Sequence, residues 1–265
     1  MHRTSRYFPL LLLLFALSGC SALIYEIVWY QLLQLAIGST AVSLGFLLAT
    51  FMGGLCIGSI WLPRRFRQHP ARLFSTLEFG IAILAILVRI AIPLIDRLYV
   101  IGAEHGFPSM ILRGLVSSIC LLPPTILMGA SLPAMVRWIE LNGERNEFEW
   151  ATLYGVNTFG AVFGCLLAGF YLLRVYDTTI ATFAAAALNL VVGLIAFALS
   201  HAPAEIETAE SSAPVASIGS NRTIYIAVAL SGACALGGEV VWTRLMGMLL
   251  GNTTYVFSII LAVFL

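Results

Sequence analysis

From residue 9 to residue 36 the chain carries one charged side chain, Glu26. Such a run exceeds the roughly 20 apolar residues that cross a bilayer, and the pattern recurs. Apolar spans are expected at about 9–36, 40–62, 73–95, 109–136, 151–173, 179–200 and 223–250, and a further run from 253 reaches Leu265 after 13 residues. In hydrocarbon each backbone polar group must be satisfied inside its own segment, so each run is read as helix. The expected fold is all-α: a polytopic transmembrane helix bundle of about seven full spans and the start of an eighth. Composition agrees, at 60% hydrophobic and 10% charged with mean hydropathy +0.96, against about 25% charged in an ordinary soluble domain. The short last run reads as a helix cut part-way, which makes the chain a fragment of a longer protein.

A second feature is a repeat. LSGCSALIYEIVW (Leu17–Trp29) returns as LSGACALGGEVVW (Leu230–Trp242), and 14 of 36 positions agree between Leu17–Met52 and Leu230–Leu265 at a constant offset of 213. Six spans separate the copies, so both run in one direction and the repeat is a parallel one. It places Glu26 and Glu239 at equivalent points inside apolar runs. A carboxylate there costs roughly 2.5–3.5 kcal/mol on insertion scales, which makes it a candidate functional site.

The loops set orientation and domains. With the N-terminus inside, nine arginines (Arg3, Arg6, Arg64, Arg65, Arg67, Arg72, Arg137, Arg145, Arg222) are internal and three (Arg97, Arg113, Arg174) external. That satisfies the positive-inside rule and implies a plasma membrane with a cytoplasmic N-terminus. Residues 201–222 are acidic and rich in Ala, Pro and Ser, the composition of a flexible cytoplasmic linker. They divide a six-span unit, 1–200, from the truncated start of a second unit, 223–265. Leu17-Ser18-Gly19-Cys20 imitates a lipoprotein signal, but the apolar run continues past Cys20 and the LSG recurs at Leu230, so cleavage is not expected. Glu140, Glu144, Glu147 and Glu149 read as a solvated loop face.

Several chemistries drop out. A net charge of +1 gives no basis for a nucleic-acid partner. The five cysteines are scattered through apolar runs with no CxxC pair, and the four histidines fall in loops or at the terminus, so no metal site is expected. No Walker A, GxGxxG, HExxH or GxSxG motif occurs, so no catalytic residue and no cofactor is assigned within the chain.

What remains is intramembrane. Gly19, Ala22, Glu26 and Trp29 form one helical stripe, matched by Gly232, Ala235, Glu239 and Trp242. Small residues before each carboxylate let another helix approach, turning the acid toward protein. Each Glu then serves as a proton or cation site or polar-substrate contact, or simply as a hydrogen-bonded lock between helices. Glu78 is a third intramembrane acid. Arg89 and Arg244 are candidate partners for the acids, and Asn157 is a candidate cross-helix donor. Gly54 with Gly58, and Gly160 with Gly164 and Ala168, read as close-packing faces. Pro123, Pro124 and Pro133 kink the fourth span or break it around a cavity.

Five segments, in order, carry a resemblance: LSGCSALIYEIVWYQLL, GSTAVSLGFLLATFMGGLCIGS, PPTILMGASLPAMVRW, LYGVNTFGAVFGCLLAGF and LSGACALGGEVVWTRLMGMLLGNTTYVFSIILAVFL. Together they resemble the membrane part of the bacterial fused transmembrane spermidine-synthase-like proteins. The resemblance implies an aminopropyltransferase-like domain beyond Leu265 that binds decarboxylated S-adenosylmethionine; no residue of its catalytic loop is found here. It also implies a polyamine or related cationic solute as a partner beside the lipid bilayer, with Glu26 and Glu239 as first-choice contacts. A small-solute transporter of MFS type without enzymatic activity, and a structural membrane anchor, are the alternative readings.

Overall fold

The computed structural model describes residues 7–37, 40–65, 69–102, 109–142, 147–201, 222–251 and 253–265. Of the expected linker at 201–222, residues 202–221 lie outside these residues, as do Arg3, Arg6, Arg67, Glu144 and Arg145. Eight helices, and no strand, occur among the described residues. They are α1 (Phe8–Ile37), α2 (Thr40–Arg65), α3 (Pro70–Gly102), α4 (Ser109–Asn142), α5 (Glu147–Leu167), α6 (Thr178–Ser200), α7 (Arg222–Leu250) and α8 (Thr254–Phe264). α5 continues through a π-helical turn, Ala168–Leu172, and a last helical turn, Leu173–Val175. Seven of the helices are long and apolar enough to cross a membrane, whereas α8 is shorter. The chain is a helical membrane protein.

α1 is the hub. Of its most apolar window 72% is buried, against 6% for α7. Its C-terminal half packs Ile24, Tyr25, Val28, Trp29 and Leu33 against α2, α3 and α6, and Tyr30 against Phe257 of α8. Its N-terminal half places Leu11, Leu14 and Phe15 with Phe74 of α3 and Trp138 of α4.

Glycines determine how closely the helices approach. A Cβ on Gly160 would overlap the Ala16 backbone, and one on Gly164 the Cys20 backbone. Both pairs are 144 residues apart (160−16, 164−20), so α1 and α5 run parallel with their backbones in contact. Gly54 and Gly58 lie in the same way against Thr125 and Ile126 of α4, and Gly129 of α4 against the Leu55 backbone. Gly232 differs: nothing lies within 4 Å of its Cβ position.

α4 runs unbroken through Pro123, Pro124 and Pro133. Beside the first two, the Thr125 hydroxyl donates to the carbonyls of Leu121 and Leu122, at 3.1 and 2.9 Å. The carbonyls that these two prolines leave without an amide donor are those of Ile119 and Cys120, so the hydroxyl reinforces the adjoining turn rather than replacing the lost bonds. α3 and α4 also extend past the apolar windows expected for them, to Gly102 and Asn142.

The turn between α5 and α6 is built on Asp177, which caps α6 by accepting from the Ile180 amide at 2.8 Å. Nearby, Arg89 Nη2 of α3 donates to Thr179 Oγ1 at 2.9 Å. The Ile180 amide, with help from Arg89, holds the Asp177 carboxyl below its ordinary 3.8. A carboxylate with a lowered pKa stabilises the fold above the unfolded value and loses that contribution as pH falls through the folded one. Thermal unfolding should therefore show Asp177→Ala less stable than the parent at pH about 5, with the gap closing at pH about 3. Asp177→Asn keeps a capping oxygen and should stay near the parent at pH about 5. Equal gaps for the alanine variant at both values would remove the charge from this account.

Candidate functional site

Glu26 stands two turns past Gly19 on α1 and is 1% exposed; Glu239 on α7 is 4% exposed. Glu239 lies within electrostatic reach of Glu26. Cys165 of α5 is buried with them and lies within electrostatic reach of both. Its thiol donates to the Ser258 carbonyl of α8 at 3.1 Å. The Ser258 hydroxyl donates in turn to the Thr254 carbonyl at 2.8 Å.

The backbone around this point is irregular. The π turn of α5 begins three residues after Cys165, and a Cβ on Gly169 within it would overlap the Ser258 side chain. One extra residue per turn widens the helix there and seats α8 against it. Such bulges often accompany function. Thr243 completes the surroundings: it follows Glu239 by one turn, is buried, and its hydroxyl has no hydrogen-bond partner among the described residues.

One oxygen on each acid, Oε1 of Glu26 and Oε1 of Glu239, is buried without a hydrogen-bond partner. The expected basic partners lie elsewhere. Arg89 is engaged by Thr179 at the start of α6, and Arg244 is exposed on α7. The reason is angular: residue 244 follows 239 by five positions, about 140° around a helix from the face that Glu239 uses. Two carboxylates in a low-dielectric site, with no paired arginine among the described residues, can hold protons, an organic cation, or one of each.

The other candidates separate from this pair. Glu78, fully buried on α3, accepts from Ser18 Oγ at 2.7 Å. Asn157 is half-buried on α5, with its Oδ1 2.7 Å from where a Gly19 Cβ would stand, roughly two turns below Glu26. The stripe of the second copy opens outward: Gly232 and Ala235 are exposed and Trp242 is 51% exposed, whereas Trp29 is completely buried. Among the described residues no three His, Cys, Asp or Glu converge as a metal site.

Cys165, Ser258, Thr243, Tyr25 and Ser18 were not among the residues singled out from the sequence. Each is small or aromatic inside an apolar run and reads there as ordinary packing. One local signal was present: Cys165 directly follows Gly164, so a close-packing face delivers it to α1. No protein-family model, curated protein or solved structure matches the chain.

Proposed function

We propose that this chain is the membrane region of a spermidine-synthase-like protein of the bacterial inner membrane, N-terminus cytoplasmic, and that Glu26 and Glu239 bind a polyamine or related organic cation within the bilayer. The orientation rests on the distribution of arginine, and the polyamine class on the resemblance of the five segments, which also suggests that the bundle anchors an aminopropyltransferase-like domain. The observation that carries the binding site is the pair itself: two buried acids from two helices, each with an oxygen that has no hydrogen-bond partner among the described residues, and neither matched there to an arginine. A site meant only to lock helices would satisfy those oxygens, because an unpaired buried polar group opposes folding.

The test is binding of labelled spermidine to the purified chain in liposomes. Removing one partner of a buried charge pair costs about 2 kcal/mol or more, so Glu26→Gln and Glu239→Gln should each weaken binding by at least about thirtyfold. Unchanged binding in the double variant, with its thermal stability intact, would reduce both residues to packing.

A further inference from the structure

The buried residues of α7 are Glu239, Thr243 and Gly247, four apart along one side of the helix. Thr243 is 6% exposed, and its hydroxyl, like Oε1 of Glu239, has no hydrogen-bond partner among the described residues. Residues at this spacing stand one above the other, about 6 Å along the axis, so the two orphaned oxygens share a face. A threonine inside a helix has a ready acceptor in the carbonyl three or four residues back. Thr76, Thr125, Thr152 and Thr182 all use it, at 2.7–3.1 Å. Thr243 does not, so its hydroxyl is turned from its own backbone into the packed interface.

That interface is with α8. A Cβ on Gly238 would stand 3.7 Å from the Phe264 ring. Each of these residues is 13 positions from Gly251 (251−238, 264−251), so α7 and α8 run back alongside one another from the turn. The same register sets Thr243 level with Ile259, beside Ser258, whose carbonyl accepts from the Cys165 thiol. In the first copy of the motif the equivalent hydroxyl is already used. Tyr30 stands one turn past Glu26, with its ring on Phe257 at 4.2 Å and its hydroxyl bonded to Gln34. Of the two copies, the second keeps an open neutral oxygen one turn from its acid.

On the reading of Glu26 and Glu239 as an organic-cation site, on which this rests, we propose that Thr243 is its specificity-determining residue and that the group admitted is a primary ammonium. Such a group carries three N–H donors and no acceptor. Oε1 of Glu26, Oε1 of Glu239 and Oγ1 of Thr243 are three acceptors without donors among the described residues. The acids supply charge, which any cation satisfies. The threonine supplies a neutral lone pair, which only a cation with an N–H can use. A quaternary ammonium brings the same charge and no donor, and leaves the Thr243 oxygen buried and unsatisfied. A site built around a hydrogen bond rejects an analogue that lacks it far more strongly than an apolar pocket rejects a change of size.

The cations n-butylammonium and n-butyltrimethylammonium share an alkyl chain and a charge and differ in their N–H donors. Thermal unfolding of the full chain in detergent, followed against the concentration of each, gives their apparent Kd values. The parent should favour n-butylammonium by about tenfold or more. Thr243→Val, which keeps the shape and removes the oxygen, should abolish that preference, and Thr243→Ser should restore it. Equal Kd values in the parent would overturn the proposal, even if Thr243→Val does not fold. So would a preference that survives in a folded Thr243→Val protein, or no stabilisation by either cation. Labelled spermidine separates this outcome from the fate of the polyamine reading. Spermidine that binds Thr243→Val as tightly as the parent leaves the acids as a cation site and ends the role of Thr243. A parent that prefers n-butylammonium but does not bind spermidine keeps the ammonium site and removes the polyamine.

Discussion

Leucine at Gly164 should abolish the folded bundle. A single Cβ at this position already overlaps the Cys20 backbone, and four residues earlier Gly160 meets Ala16 in the same way. The obstacle is backbone, which cannot rotate aside as a side chain does. α5 would have to move away from α1 along the whole parallel seam, carrying Cys165 and the π turn that seats α8. Overpacking in a well-filled core costs about 1–3 kcal/mol even when side chains can adjust, and a rigid neighbour places this case at or above that range. Membrane helix association depends on such close contacts, because lipid supplies no competing hydrophobic drive between helices. Gly164→Leu should therefore give no monodisperse protein on size exclusion in detergent, and Gly164→Ala should unfold at clearly lower temperature. Two controls belong beside it. Gly155 and Gly232 have nothing within 4 Å of the added carbon, so alanine at either should leave the unfolding temperature nearly unchanged. A Gly164→Leu protein that elutes and melts like the parent would mean that α1 and α5 do not touch at this seam.

Hydropathy made the spans legible because the bilayer leaves the backbone no option but helix. Their neighbours were not legible. α1 is apolar all around, so its periodicity marks no single core-facing stripe, and the sequence offers no sign that six other helices cover it. The glycine ladders identified faces, but the partner of a face is a tertiary fact: Gly54 and Gly58 could have met any helix and met α4. For the site, the repeat singled out Glu26 and Glu239 without revealing what surrounds them. Nor does distance along a helix tell which side an arginine takes: Arg89 bonds Thr179, and Arg244 is exposed. Ser18, Tyr25 and Cys165 have no sequence signature of polarity in an apolar run; burial and an orphaned atom are what mark them.

The repeat yields a sharper test, because its two tryptophans have opposite surroundings. Trp29 is completely buried, stacked on Tyr25 and tilted against Phe51 of α2 at 6.3 Å. Trp242, its equivalent 213 residues on, is 51% exposed on α7. Truncating a core aromatic to alanine costs about 3–5 kcal/mol in water-soluble proteins. Part of that figure is transfer of apolar surface to water, which a membrane helix avoids by facing lipid, so Trp29→Ala belongs near the low end, about 3 kcal/mol. What remains is the lost contact with Tyr25 and Phe51 and a cavity beside Glu26, which the rigid α1–α2 packing cannot close. Trp242→Ala exchanges one lipid-facing surface for a smaller one and should change the unfolding midpoint by less than about 0.5 kcal/mol. The comparison is internal, since motif and residue type match and burial differs. Equal destabilisation by the two substitutions would show that α7 is as enclosed as α1, and the asymmetry between the two copies of the motif would have to be given up.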